Sequence, residues 1–253
     1  MTVGFRRLWA VVRLAGFASV TLHIMLVFAL LFPFLSQSRR MRYVGFFSGR
    51  LLATLGLTVR ASGEMGVGST LLVSNHVSWL DILAINSVRP VRFVSKADVR
   101  HWPVVGWIVT CAGTLFIDRG SRSDAMRVVH QVAAALQAGS QIAIFPEGTT
   151  SDGRGVLPFH GSLLQSAVAT GVTTQPIVMR YSDDQETFSA SAAYIGDTTM
   201  AQSIWAVAQA QRLMVHVNFL PAIHGPHPDR RALAEHLRGG IERALIDAQA
   251  TAA

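Results

Sequence analysis

Apolar and polar positions divide the chain into two unequal parts. From residue 14 to residue 35 no side chain carries a formal charge, and His23 is the one titratable group. As a helix rising 1.5 Å per residue this run would be about 33 Å long, enough to cross a hydrocarbon core or to lie along one leaflet. It is long for a signal peptide, and no small-residue cleavage site follows it. Pro33 ends or kinks the helix. Arg6, Arg7 and Arg13 stand before the centre of the run and Arg39, Arg40, Arg42 and Arg50 after it, so loop charge sets no orientation. Residues 41–58 read as a second, amphipathic helix carrying Tyr43, Phe46, Phe47, Leu51 and Leu52.

Beyond residue 58 short β-type runs alternate with helical stripes. Residues 70–73, 91–95, 114–117, 141–145, 176–179 and 214–220 read as strands. Helices are expected from Leu80, from Ser123 as a cap to Gly139, around Leu163 and Leu164 up to Gly171, and from Asp229 as a cap through Leu245. Residues 102–109, Trp-Pro-Val-Val-Gly-Trp-Ile-Val, are unusually apolar for a connection. They are either the start of a buried helix or a loop that faces a membrane. The predicted class is α/β, a mixed and largely parallel sheet flanked by helices, with an apolar membrane-associated helical segment at the N-terminus. The expected division is a helical region over 1–58 and a catalytic domain over 59–253.

Composition narrows the partners. The 253 residues are 50% hydrophobic and 15% charged, with a net charge of +7. Lys96 is the only lysine, so nearly all positive charge is arginine. A basic chain with an apolar segment suits an anionic membrane surface. No basic stripe interleaved with aromatic residues and no nucleic-acid-binding signature accompanies it, so nucleic acid is not expected as a partner. Cys111 is the only cysteine, which leaves no disulfide framework or thiolate metal site. The histidines at 216, 224, 227 and 236 have no recognised metal spacing, and no metal is expected.

Candidate chemistry sits at the ends of the strands. Asn75-His76 follows the first buried run, and Asp81 lies five residues beyond His76. If a bent first turn brings the carboxylate back, Asp81 fixes one imidazole nitrogen as N–H and leaves the other free to accept a proton. That is the orienting half of a triad without its serine, so the proton must come from a substrate hydroxyl. Asp118-Arg119 ends a second strand, and Arg119 suits an anionic group. Glu147-Gly148-Thr149-Thr150 ends a third, where backbone N–H groups around Gly148 can hold an anion or oxyanion. Taken singly, His76 reads equally well as a helix-capping group, Arg119 as the ion-pair partner of Asp118, and Glu147 as part of a helix N-terminus. Ligands of open α/β sheets bind where the strands end at their carboxyl side, which favours a joint role.

Asn75-His76 with Asp81, Phe116-Ile117-Asp118-Arg119, Phe145-Pro146-Glu147-Gly148-Thr149 and Pro176-Ile177 together resemble the four blocks of the glycerolipid acyltransferase family. The blocks cover roughly residues 70–180, and the stretch from Lys96 through Pro103 to Gly106-Trp107 is similar to the family's connection between the first two. The resemblance implies transfer of a fatty acyl group from acyl-CoA or acyl carrier protein to a hydroxyl of a lysolipid acceptor, with no cofactor. It implies His76 as general base, Asp81 as its orienting group, and Asn75, Lys96, Asp118, Arg119, Glu147, Gly148, Thr149 and Thr150 as substrate-binding. It also implies association with the inner membrane, the catalytic domain on the cytoplasmic side.

Many phosphatidic-acid-forming members carry arginine where Thr150 stands here. A lost guanidinium contact to phosphate is worth about 1.5–3 kcal/mol. The Glu-Gly-Thr-Thr-Ser-Asp-Gly form is similar to that of lyso-ornithine lipid acyltransferases. The expected acceptor is 1-acylglycerol-3-phosphate, with lyso-ornithine lipid as the alternative. Two other classes stay open: a thioester hydrolase, although Gly-x-Ser-x-Gly is missing, and a non-catalytic membrane module.

Overall fold

A computed structural model describes residues 3–118 and 122–251. Among these residues seven strands form one sheet: β1 (Thr58–Ser62), β2 (Thr70–Ser74), β3 (Arg92–Lys96), β4 (Leu115–Ile117), β5 (Gln141–Ile144), β6 (Thr173–Ser182) and β7 (Met214–Phe219). Their order across the sheet is β1-β7-β6-β2-β5-β3-β4. Strands β2 to β6 run parallel, and β7 joins β6 antiparallel and carries β1 parallel to itself. The expected mixed, largely parallel sheet is therefore present, and β1 is a strand the apolar pattern did not reveal. Its burial pattern explains why: four of its five residues are exposed, so it has no apolar alternation to read.

Among the described residues eight α-helices accompany the sheet: α1 (Val3–Leu30), α2 (Gln37–Thr54), α3 (Leu80–Val88), α4 (Val105–Cys111), α5 (Arg122–Gln137), α6 (Gln165–Thr170), α7 (Met200–Gln209) and α8 (Arg230–Ala250). Strand side chains alternate between the two faces. Leu72, Ala143, Met179 and Val217 thus enter one core with Leu80, Ala84 and Ile85 of α3 and Val207 of α7. Leu71, Val73, Ile142 and Ile144 enter the other, with Val128, Val132 and Leu136 of α5 and Leu233 and Leu237 of α8. Strand β2 is buried on both faces, which is why its sequence is a continuous apolar run rather than an alternation.

Several helix boundaries follow local chemistry. Asp229 accepts from the Arg231 and Ala232 amides and starts α8 as expected. Gly171 ends α6 in the left-handed conformation, φ +66°. Helix α5 begins at Arg122, so Ser123, expected as its cap, lies inside the first turn. Thr199 and Gln202 form a reciprocal capping box at the head of α7, a helix not predicted from the pattern. Pro33 sits in a short 3-10 turn that separates α1 from α2.

Helix α1 lies on the rest of the molecule rather than standing away from it. Arg13 bonds the end of α7, Ala10 enters the same core as Val207 and Ala208, and Ile24 and Phe28 pack with Val44 and Phe47 of α2. The Arg13 guanidinium donates to the Ala208 and Ala210 carbonyls at 2.9 and 2.7 Å, satisfying orphan acceptors at the end of α7. The Trp102–Trp107 stretch resolves into a turn followed by α4, with Gly106 buried and both tryptophans partly exposed.

Candidate active site

Because β2, β3, β4 and β5 are parallel, the residues that follow them emerge on one edge of the sheet. His76, Lys96, Asp118 and Glu147 all leave the sheet on that edge. This is the geometry that makes such an edge a binding site.

Residues 75–78 form a loop and the helix starts only at Leu80, so Asp81 sits in the first turn of α3. Its Oδ2 lies 2.8 Å from His76 Nδ1 and also accepts from the Val77 and Ser78 amides at 2.8 and 3.0 Å. The loop thus folds back onto the carboxylate, as the five-residue separation requires. Backbone donors and the N-terminal end of a helix both favour an anion there. With Asp81 as acceptor, Nδ1 carries the proton and Nε2 is the basic nitrogen. Nε2 makes no hydrogen bond among the described residues, and the His76 side chain is 19% exposed. The ring stacks on Phe145, centroids 3.9 Å apart, and Phe145 in turn stacks on Phe93. The imidazole is therefore held by a hydrogen-bonded carboxylate on its edge and an aromatic face beneath it.

The main chain around His76 is fixed from two other segments. The Ser151 amide donates to the His76 carbonyl at 2.8 Å, and the Tyr194 amide donates to the Val77 carbonyl at 3.0 Å. Thr150 donates its hydroxyl to the Tyr194 carbonyl, linking the third sequence block to the 183–198 segment.

Glu147 lies behind the histidine, 3% exposed, with Oε1 accepting from the His76 amide at 3.2 Å. Among the described residues no donor meets Oε2 within hydrogen-bonding geometry; the Leu157 amide and Ser151 hydroxyl lie near enough to the carboxyl to lower its pKa. Burial raises its pKa to about 7, the Asp81 charge adds to the rise, and the His76 amide opposes it.

Of the residues expected at the site, His76, Asp81 and Glu147 come together. Asn75 does not face the site: it is fully buried, donating to the Met179 carbonyl at 2.9 Å and accepting from the Met179 amide at 2.8 Å. It fastens the loop to β6. The Gly148 amide, expected to be available to an anion, donates to the Phe145 carbonyl at 3.2 Å, and Gly148 has φ +76°. That positive φ is the reason for glycine there. Thr149 is exposed, Lys96 is exposed at the end of β3, and the Asp118 amide donates to Asp124 at 2.7 Å. Arg119 lies outside the described residues. Sequence reasoning missed Tyr181, whose hydroxyl donates to Asp81 Oδ1 at 2.7 Å from β6. Its signal was its place five residues after Pro176, inside a strand read only for its apolar pattern.

The site therefore holds an imidazole oriented by a buried carboxylate at the carboxyl edge of a parallel sheet, with no side-chain nucleophile hydrogen-bonded to Nε2 among the described residues. Residues 58–180 match the acyltransferase family model. The chain belongs to that family. It is 39% identical over 207 residues to the lyso-ornithine lipid O-acyltransferase of Pseudomonas aeruginosa, covering 82% of this chain and 80% of the relative. It is 33% identical over 213 residues to the 1-acyl-sn-glycerol-3-phosphate acyltransferase of Neisseria gonorrhoeae, covering 83% of each. The fold is that of the solved 1-acyl-sn-glycerophosphate acyltransferase PlsC of Thermotoga maritima, with a TM-score of 0.66 at 19% identity over 94% of this chain and 98% of the other.

Proposed function

We propose that the protein is an O-acyltransferase that esterifies the free hydroxyl of a lysolipid with a fatty acyl group from acyl-CoA or acyl carrier protein. The observation that carries this is His76 Nδ1 held 2.8 Å from Asp81, with no hydrogen bond to Nε2 among the described residues, in a chain of the acyltransferase family. His76 Nε2 takes the hydroxyl proton as the acceptor oxygen attacks the thioester carbonyl carbon. The tetrahedral intermediate collapses with cleavage of the C–S bond, and the imidazolium returns its proton to the leaving thiolate. The products are the acylated lipid and a free thiol. Asp81 keeps the proton of Nδ1 in place and faces the positive charge that forms on the ring. General-base help of this kind contributes about 10²–10⁴ in rate. A hydrolase would use the same base on water; the likeness to two acyltransferases over four-fifths of the chain favours a lipid hydroxyl instead.

For the acceptor, two observations favour lyso-ornithine lipid over the phosphate-bearing lysolipid preferred from sequence. The position after Glu147-Gly148-Thr149 is a threonine whose hydroxyl is turned to the Tyr194 carbonyl, so it offers no cation. The relative at 39% identity is named for that acceptor. Lysophosphatidic acid is the second reading, supported by the relative at 33% identity and by exposed Lys96 on the same sheet edge.

The exposed face of α1 supports a membrane contact. Positions 5, 8, 12, 15, 19, 22, 26 and 30 form one exposed stripe along the helix, opposite buried Ala10, Ile24 and Phe28. The helix is about 42 Å long, and its other face is occupied by α7 and α2. A helix crossing the bilayer would carry Arg13 and the end of α7 into hydrocarbon. In this reading α1 lies in one leaflet of the inner membrane, on the cytoplasmic side where the thioester donors are, with exposed Trp102 and Trp107 at the interface. The relevant experiment is acyl transfer from a long-chain acyl-CoA by purified protein in detergent. Lyso-ornithine lipid and lysophosphatidic acid are offered side by side, with His76→Ala as control. Product with lyso-ornithine lipid alone supports the favoured acceptor; product with lysophosphatidic acid alone reverses it. No His76-dependent product with either, from acyl-CoA or acyl carrier protein, removes the acyltransferase mechanism.

A further inference from the structure

The two oxygens of Asp81 are used unequally. Oδ2 receives three donors, while Oδ1 receives one side chain, the Tyr181 hydroxyl at 2.7 Å. Both residues are buried, Asp81 at 0% and Tyr181 at 2% exposure, so no water competes for that bond. We propose that Tyr181 is a positioning residue for acyl transfer, holding Asp81 in the orientation that presents Oδ2 to His76 and drawing off part of the carboxylate's charge. This rests on the reading of His76 as general base.

The geometry supports it in three ways. A carboxylate torsion is soft and roughly two-fold, so donors on one oxygen alone leave its plane free to rock; a donor on Oδ1 fixes it. The donor is mounted rigidly, since β6 also carries Met179, to which Asn75 is fastened through both amide atoms. The phenol keeps its proton: burial, then the Asp81 charge, holds its pKa well above the usual value. It therefore donates across the working pH range and does not relay protons.

A donor on Oδ1 spreads the carboxylate's charge and makes the imidazole a weaker base than Asp81 alone would. Among the described residues the titratable groups facing His76 are Asp81 from α3, Glu147 from the loop after β5 and, through Asp81, Tyr181 from β6. Glu147 also responds to the Asp81 charge, so the same comparison is repeated in a Glu147→Gln background to separate its titration from that of His76.

The test is Tyr181→Phe beside wild type and His76→Ala, with kcat, KM and the pH profile measured for the acceptor that reacts. The expected result is a fall in kcat of about five- to fifty-fold, part of the general-base factor, with KM nearly unchanged. The acid limb of kcat/KM moves to higher pH, since the base becomes stronger. A Phe variant with wild-type kcat and an unmoved limb, while His76→Ala is inactive, overturns the inference and leaves the base reading intact. Activity surviving in His76→Ala overturns the base reading, and with it this one. If Tyr181→Phe does not fold, the alternative is 3-fluorotyrosine incorporation. The chain has three tyrosines, Tyr43, Tyr181 and Tyr194, so a Tyr43→Phe/Tyr194→Phe background places fluorine at Tyr181 alone. A more acidic phenol donates more strongly, so the acid limb should move to lower pH; an unmoved limb refutes the proposal.

Discussion

Glu147→Gln removes one ionisable group from behind His76 with almost no change of shape, and its effect on stability should depend on pH. The carboxyl is 3% exposed, and its pKa is raised from 4.5 to about 7. Below pH 4.5 both folded and unfolded chains hold the proton and the residue makes no difference. Between 4.5 and about 7 the unfolded chain ionises first, so the folded state loses stability as pH rises. Above about 7 both are ionised and the full penalty applies. A pKa moved from 4.5 to about 7 corresponds to at most about 3–4 kcal/mol, and screening from the partly open histidine side reduces the expected value to about 2 kcal/mol. Glutamine places an amide N–H₂ where Oε2 has no partner, which costs about 1–3 kcal/mol at every pH. The diagnostic is therefore the slope. Urea unfolding of both proteins in mild detergent, from pH 4 to 8.5, should show the variant gaining on wild type by about 2 kcal/mol. In an Asp81→Asn background the gain should shrink but persist, since burial is the larger cause. A difference that stays flat within about 0.5 kcal/mol from pH 4 to 8.5 would refute the assignment of a buried, proton-holding Glu147.

Asn75→Ala leaves both the amide and the carbonyl of Met179 buried without partners, and chemical denaturation should register a loss of about 2–4 kcal/mol. Gly106→Ala would set a Cβ 2.2 Å from the Arg100 carbonyl oxygen, so a change that normally favours a helix by about 1 kcal/mol should instead lower the melting temperature. Arg13→Leu keeps the apolar contact of α1 but strands the Ala208 and Ala210 carbonyls, and limited proteolysis should cut α1 and the turn after it faster than in wild type. Equal cleavage rates would mean that the guanidinium does not hold the helix to the domain.

What the sequence by itself determined is what local period and local chemistry encode. The uncharged run at residues 14–35, the continuous apolar core of β2, the cap at Asp229 and the glycine stop at Gly171 each depend on residues within a few positions of one another, and all can be read along the chain. The His76 and Asp81 pairing was legible for the same reason, being five residues apart with one bent turn between them. Tertiary structure decided which groups meet across the sheet. Tyr181 stands 100 residues from Asp81 and reaches it because β6 lies beside β2, and Glu147 reaches the His76 amide because β5 lies on the other side. The order β1-β7-β6-β2-β5-β3-β4 leaves no trace in periodicity, so the burial of Glu147, the inward use of Asn75 and the turning of Thr150 to Tyr194 were hidden. A polar residue after a strand looks the same in sequence whether it faces a substrate or holds its neighbour strand; only the packing around it distinguishes the two.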